Sequence, residues 1–156
     1  KERIGVIATQ GTINSGVWEK KIKENIDGVE VINEKALLLA TMAEEGWTNN
    51  KVAEYTIKEY MKCFKDIDKL ILGCTHYPLF EELIKKELNN NSIEIINTGT
   101  KVSEFLEEFI NKNDMQNSSE IKEFEIYLTD AQRRFKEIGE DILEERLDFK
   151  IYRTVI

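Results

Sequence analysis

This chain is poor in histidine, proline, cysteine and positive charge, and each shortage removes a class of function. Of its 156 residues, one is His, one is Pro and two are Cys. Lys and Arg number 22 against 30 Asp and Glu, a net charge of −8, which argues against a surface that tracks a nucleic-acid backbone. The densest basic stretch, Lys20 to Lys23, reads as a solvated helix face. Two Cys without framework spacing exclude a disulfide scaffold and point to a reducing cytoplasm. Cys74 and His76 offer a zinc ion only two ligands, and Cys63 is expected to face the core of its own helix, so no metal site is expected. No apolar run approaches the roughly 18 residues that span a bilayer. Neither a Walker A pattern nor a G-x-G-x-x-G occurs, and the nucleotide-binding reading falls with them.

What is present is an alternation of short apolar runs and helix-period stretches. IGVIAT (4–9), VEVIN (29–33), KLILGC (69–74) and IEIINTG (93–99) are continuous and rich in Ile, Val and Leu, as strands of a parallel sheet covered on both faces are. Between them, residues 12–26 place Ile13, Val17, Ile22 and Ile26 near one helical face. Residues 34–45 carry a Leu/Ala run, and residues 49–65 carry Val52, Thr56, Tyr60 and Cys63 or Phe64. Residues 78–88 and 100–111 complete the set. The pattern predicts an open, mostly parallel α/β sheet flanked by helices, a three-layer flavodoxin- or Rossmann-like domain.

Residues 1–112 form that domain in this reading, and 113–120 are a polar linker. Residues 121–156 are a strand–helix–strand segment, with FEIYLT (124–129), a helix capped near Asp130, and FKIYRTVI (149–156). Phe135, Ile138, Ile142 and Leu143 lie along one stripe of that helix and need an apolar surface to cover them. The chain opens at Lys1 without a Met and enters a core strand by Ile4, which reads as a piece of a longer protein, with a trimmed N-terminus as the alternative.

Ligands of open parallel sheets sit beyond the carboxyl ends of the strands. Three strands here end in small polar groups: Thr9–Thr12, Gly73–His76 and Asn97–Thr100. Hydroxyls and backbone donors without Lys or Arg suit a small carboxylate in a dry pocket. Cys74 is the best reactive group, at a strand-to-helix junction with Pro78 in the first helical turn, where Pro is favoured. A thiol beside an imidazole at a helix start can work as a base or nucleophile; the rival reading is a small core residue. Glu44 and Glu45 precede Gly46 at a helix end, where acids oppose the dipole. They are either solvated or aimed into the site. Trp18 and Trp47 read as packing residues.

GCTHYPLF (73–80) resembles the glutamate racemases of the aspartate/glutamate racemase superfamily. IGVIATQGTINSGVW, MAEEGW, IINTGTKV and YLTDAQRRFKEIGEDIL resemble further segments of the same family, so the likeness runs along nearly the whole chain. The resemblance implies a cofactor-independent, two-base racemisation of L-glutamate to D-glutamate for peptidoglycan synthesis in the bacterial cytoplasm. It implies neither metal nor pyridoxal phosphate. By position, Cys74 matches one catalytic cysteine, His76 its helper and Glu44 an acid at the site edge, with Glu45 the alternative. Thr9, Thr12 and Thr75 match substrate-contacting positions.

The family's other cysteine, in an Ala-Cys-Asn-Thr segment, and its Asp-Ser-Gly segment do not occur here. The family's usual Cys-Pro reads Ala36-Leu37. The resemblance therefore covers the second half of such an enzyme, expected to be inactive alone. Its expected partners are glutamate and the enzyme's first domain, on which residues 121–156 would pack, or else, without that domain, the chain's own sheet edge or a second copy of the chain; neither nucleic acid nor membrane is expected. The alternatives are a superfamily racemase for aspartate or a hydantoin, or a non-catalytic module that binds a small acid or a protein. His76 favours glutamate, because the aspartate enzymes of the superfamily usually carry Glu there.

Overall fold

Four apolar runs become strands: β1 (Arg3–Ala8), β2 (Glu30–Lys35), β3 (Lys69–Leu72) and β4 (Glu94–Asn97). In this computed structural model they form one sheet in the order β2-β1-β3-β4, with every neighbouring pair parallel. Residues 1–90, 92–117, 125–129, 135–136, 139–140 and 150–155 are described. The chain divides into two compact units, Lys1–Phe109 and Ile110–Ile156.

Side chains alternate across a strand, and the two faces of the sheet receive different helices. Ile7, Leu70 and Leu72 point into the larger core cluster, while Ile4, Val6, Ala8 and Ile71 belong to the smaller one on the opposite face. Helices on both faces make the three layers that continuous apolar strands call for.

The larger cluster is built by α3 (Leu39–Glu44), α4 (Lys51–Met61), a 3-10 turn (Tyr77–Phe80) and α5 (Glu81–Leu88). Asn50 starts α4, its Oδ1 accepting from the Ala53 amide at 2.9 Å, the usual remedy for an orphan donor. The α4 stripe has the expected period but a shifted phase. Ala53, Ile57, Met61 and Phe64 are buried, whereas Val52 is 50% exposed. Cys63 is a further correction: α4 ends before it, and it lies exposed in the following turn.

On the other face, a single helix over 12–26 is the expectation, and the structure breaks it. α1 (Gln10–Asn14) and α2 (Val17–Asn25) are separated at Ser15 and Gly16, with Gly16 at φ 65°, a left-handed conformation that glycine adopts without a Cβ clash. Ile22 is buried and Ile13, Trp18 and Ile26 pack beside it, but Val17 faces solvent. Lys20, Lys21 and Lys23 are indeed a solvated face, paired with Glu19 and Glu24.

A further helix, α6 (Thr98–Lys112), begins directly at the end of β4 and buries none of its residues. In the second unit, β5 (Glu125–Leu128) and β6 (Lys150–Arg153) pair in parallel, with Tyr127 and Tyr152 stacked at 5.1 Å. Both strands fall where the sequence places them. Phe135 is half-buried, while Ile138, Ile142, Leu143 and Asp130 lie outside the described residues. Among the described residues, no helix is long and apolar enough to cross a membrane.

Candidate active site

Parallel strands send all their carboxyl ends to one edge. The order β2-β1-β3-β4 makes the chain leave β1 toward one side and β3 toward the other. In open parallel sheets the ligand crevice lies where such connections diverge. Two of the three polar turns singled out in the sequence flank it: Thr9 to Thr12 after β1 and Gly73 to His76 after β3. The register Ile7↔Leu72 and a Gly73 N–H donating to the Ile7 carbonyl at 2.8 Å hold the two turns side by side.

Cys74 and His76 lie on one turn, with Cys74 Sγ 3.8 Å from His76 Nδ1. The far nitrogen of the same ring, Nε2, is 3.6 Å from Glu44 Oε1. Thiol, imidazole and carboxylate thus stand in line, and the His and Glu side chains are 34% and 43% exposed. Such a line can pass a proton from the thiol to the ring and hold the charged ring against an acid.

Glu44 reaches the ring because of how α3 ends. Gly46 sits at φ 73°, its N–H donates to the Ala43 carbonyl at 3.0 Å, and the Trp47 N–H donates to the Met42 carbonyl at 2.8 Å. This is the Schellman pattern, which closes a helix with a left-handed residue. It leaves Glu44 as the last helical residue facing His76, while Glu45 is exposed. Of the two acids, Glu44 is the one the structure brings beside His76.

Thr9 caps α1: its Oγ1 accepts from the Thr12 amide at 3.4 Å, and the two hydroxyls lie 2.9 Å apart. Thr75 is on the same turn as Cys74 and is exposed. The third polar turn is committed to structure. Asn97 Oδ1 accepts from the amides of Gly99 and Thr100 at 3.0 and 3.3 Å, and Thr98 donates to the Leu72 carbonyl at 3.2 Å. Those α6 amides are therefore already partnered.

The second thiol is of a different kind. Cys63 Sγ donates to the Tyr60 carbonyl at 3.2 Å, and although the residue as a whole is exposed, partial desolvation of its sulfur, reinforced by the Glu34 carboxylate, pushes it up to about 12. Such a thiol is a poor nucleophile at neutral pH. Trp18 packs as expected, its Nε1 lying over Gly73. Trp47 does not. It is 49% exposed and lines an apolar groove with Leu38, Met42 and Val52.

Tyr77 carries no assigned role in the sequence alone. Its phenol is fully buried and donates to the Ala36 carbonyl at 2.7 Å. The available signal was that a buried Tyr hydroxyl usually finds a partner, but that partner lies 41 residues away in the chain.

A family model described as Asp/Glu/Hydantoin racemase matches residues 1–117, most of the chain. The chain belongs to the aspartate/glutamate/hydantoin racemase family. The glutamate racemase of Aquifex aeolicus is 34% identical over 99% of this chain and 57% of its own length. That of Geobacter metallireducens is 31% identical over 93% of this chain and 54% of its own. Among solved structures, the glutamate racemase from Francisella tularensis in complex with D-glutamate matches with a TM-score of 0.88 at 32% identity, over 99% of this chain and 58% of that one. A Bacillus anthracis glutamate racemase matches at 0.85 and 29%, over 99% and 57%. This racemase-family chain therefore spans little more than half the length of the relatives it matches.

Proposed function

We propose that this chain supplies one face of a cofactor-independent, two-base active site that interconverts L- and D-glutamate. The observation that carries the reading is the line from Cys74 through His76 to Glu44 at the β1/β3 crevice. Inversion at a tetrahedral carbon needs a proton acceptor on one face and a donor on the other. In the deprotonating direction the Cys74 thiolate takes the α-proton, and the C–H electron pair moves into the adjacent carboxylate. A thiol on the opposite face then returns a proton, and the two thiols exchange roles for the reverse reaction. The developing charge needs donors aimed at it in a dry site, and the hydroxyls of Thr9, Thr12 and Thr75 are the groups assigned to bind substrate.

The opposing thiol is assigned to a further domain carrying the Ala-Cys-Asn-Thr segment. Residues 1–112 are the α/β domain, 113–120 the linker, and 121–156 the segment that packs on that further domain. The product would feed peptidoglycan synthesis in a bacterial cytoplasm. The test mixes the purified chain with a separately produced racemase half carrying Ala-Cys-Asn-Thr and follows the circular dichroism of L-glutamate. The chain alone should be silent. The mixture should racemise, with Cys74→Ala lowering the rate by about 10²-fold or more. Racemisation by the chain alone that depends on Cys74, or activity of the mixture that survives Cys74→Ala, would sink the proposal.

A further inference from the structure

We propose that Tyr77 is a positioning residue that holds the Cys74, His76 and Glu44 segments in one arrangement. The inference deepens the function proposed above and rests on its reading of Cys74 as the reactive thiol. Tyr77 directly follows His76, and its own amide donates to the Cys74 carbonyl at 3.2 Å. Its hydroxyl reaches across the larger core to the Ala36 carbonyl at 2.7 Å. Ala36 begins the connection from β2 to α3, the helix that ends in Glu44. The amide of the same Ala36 donates to the Ala8 carbonyl at 3.0 Å, at the end of β1 just before Thr9.

One line of hydrogen bonds therefore runs beneath the site, from the Cys74 turn to the α3 connection to the end of β1. Each of the three segments carries a residue assigned to the site. Both Ala36 and Tyr77 are buried, at 1% and 0% exposure, so water does not substitute for either bond. Burial, and secondarily the neighbouring Cys74, pushes the Tyr77 phenol above its ordinary value. The hydroxyl accordingly keeps its proton and remains a donor across the working pH range. The ring itself packs with Leu39, Met42 and Ala43 of α3 in the larger core cluster, which separates a packing role from a hydrogen-bonding one. Tyr77→Phe removes only the latter.

The test uses the 156-residue chain with Cys63→Ser, and reads the rate of Cys74 alkylation by iodoacetamide. His76→Asn should slow alkylation, because the ring accepts the thiol proton. Tyr77→Phe should also slow it, and the two together should fall short of the product of the single effects by about fivefold or more, as coupled residues do. Leu39→Ala loosens the same core without touching the hydrogen bond and should lower the urea midpoint while leaving the His76 effect intact. Multiplicative effects of Tyr77→Phe and His76→Asn would overturn the positioning role alone. Loss of the His76 effect in Leu39→Ala would overturn it too, since general loosening would then suffice. An alkylation rate indifferent to His76→Asn would overturn it together with the reading of Cys74. Should Tyr77→Phe fail to fold, amide exchange on the unmodified chain decides. A single opening event requires similar protection at Ala36 and Tyr77, and a difference of about tenfold or more overturns the proposal.

Discussion

At the scale of single residues, the site depends on atoms that are missing as much as on those present. A Cβ built on Gly73 would lie 2.9 Å from the Ala8 Cβ and 3.2 Å from Trp18 Nε1. Ala8 is fixed by its strand, so the clash falls on the turn that carries Cys74. Gly73→Ala is expected to cost about 1–3 kcal/mol by overpacking. Gly11 provides the contrast, because a Cβ there meets nothing within 4 Å and the residue lies inside α1. Gly11→Ala should stabilise by about 0.5–1 kcal/mol through helix propensity. Urea unfolding of the two variants should give midpoints on opposite sides of the parent's, and two shifts in one direction would refute this account of Gly73.

At the scale of elements, helix ends decide which side chains reach the crevice. The left-handed Gly46 terminates α3 and sets Glu44, rather than Glu45, opposite His76. Gly46→Ala places a Cβ in the left-handed region and should cost about 1–2 kcal/mol. Gly46→Asn should cost less, since Asn tolerates that conformation. Chemical denaturation measures both, and equal losses would show that the backbone conformation is not the cause. The phase of α4 makes a related point. Val52, Thr56 and Tyr60 share a period with Ala53, Ile57 and Met61, and only contact with the sheet selects the second set. The sequence carries the period of 3.6, while the buried phase is chosen by the neighbour that covers it.

At the scale of the whole molecule, the groups with resolved shifts define a window of pH stability. Cys63 and Tyr77 are raised above their ordinary values, mainly by burial, and Lys51, Lys69, Lys85 and Lys101 are raised by hydrogen bonds to neighbouring carboxylates. Each holds its proton in the folded chain at a pH where the unfolded chain has released it. Unfolding there sheds protons, so this stability is present below the ordinary values, about 8.5 for Cys and 10 for Tyr and Lys, and is lost as pH rises past them. Glu19 and Glu54 are lowered, chiefly by hydrogen bonds to Lys23 and Lys51, and their contribution is lost as pH falls below about 4. The urea midpoint should be flat near neutrality and decline above about pH 9. The decline should be shallower in Cys63→Ser, and a midpoint that rises with pH there would contradict the assignment.

The sequence by itself determined the parallel sheet, because runs such as IGVIA and KLIL are apolar on both faces and satisfy only a strand covered twice. It also marked GCTHYP as the candidate place of chemistry, since the chain's only His and only Pro stand there beside a thiol. Those signals are local, carried by neighbours in the chain. Only the tertiary structure decided that Glu44 faces the imidazole, that Cys63 leaves its helix for the surface, and that Tyr77 reaches Ala36. Each of these depends on where a helix stops or on a contact between distant segments. Such contacts form only when strands separated by tens of residues lie side by side, and no residue's own neighbours encode them.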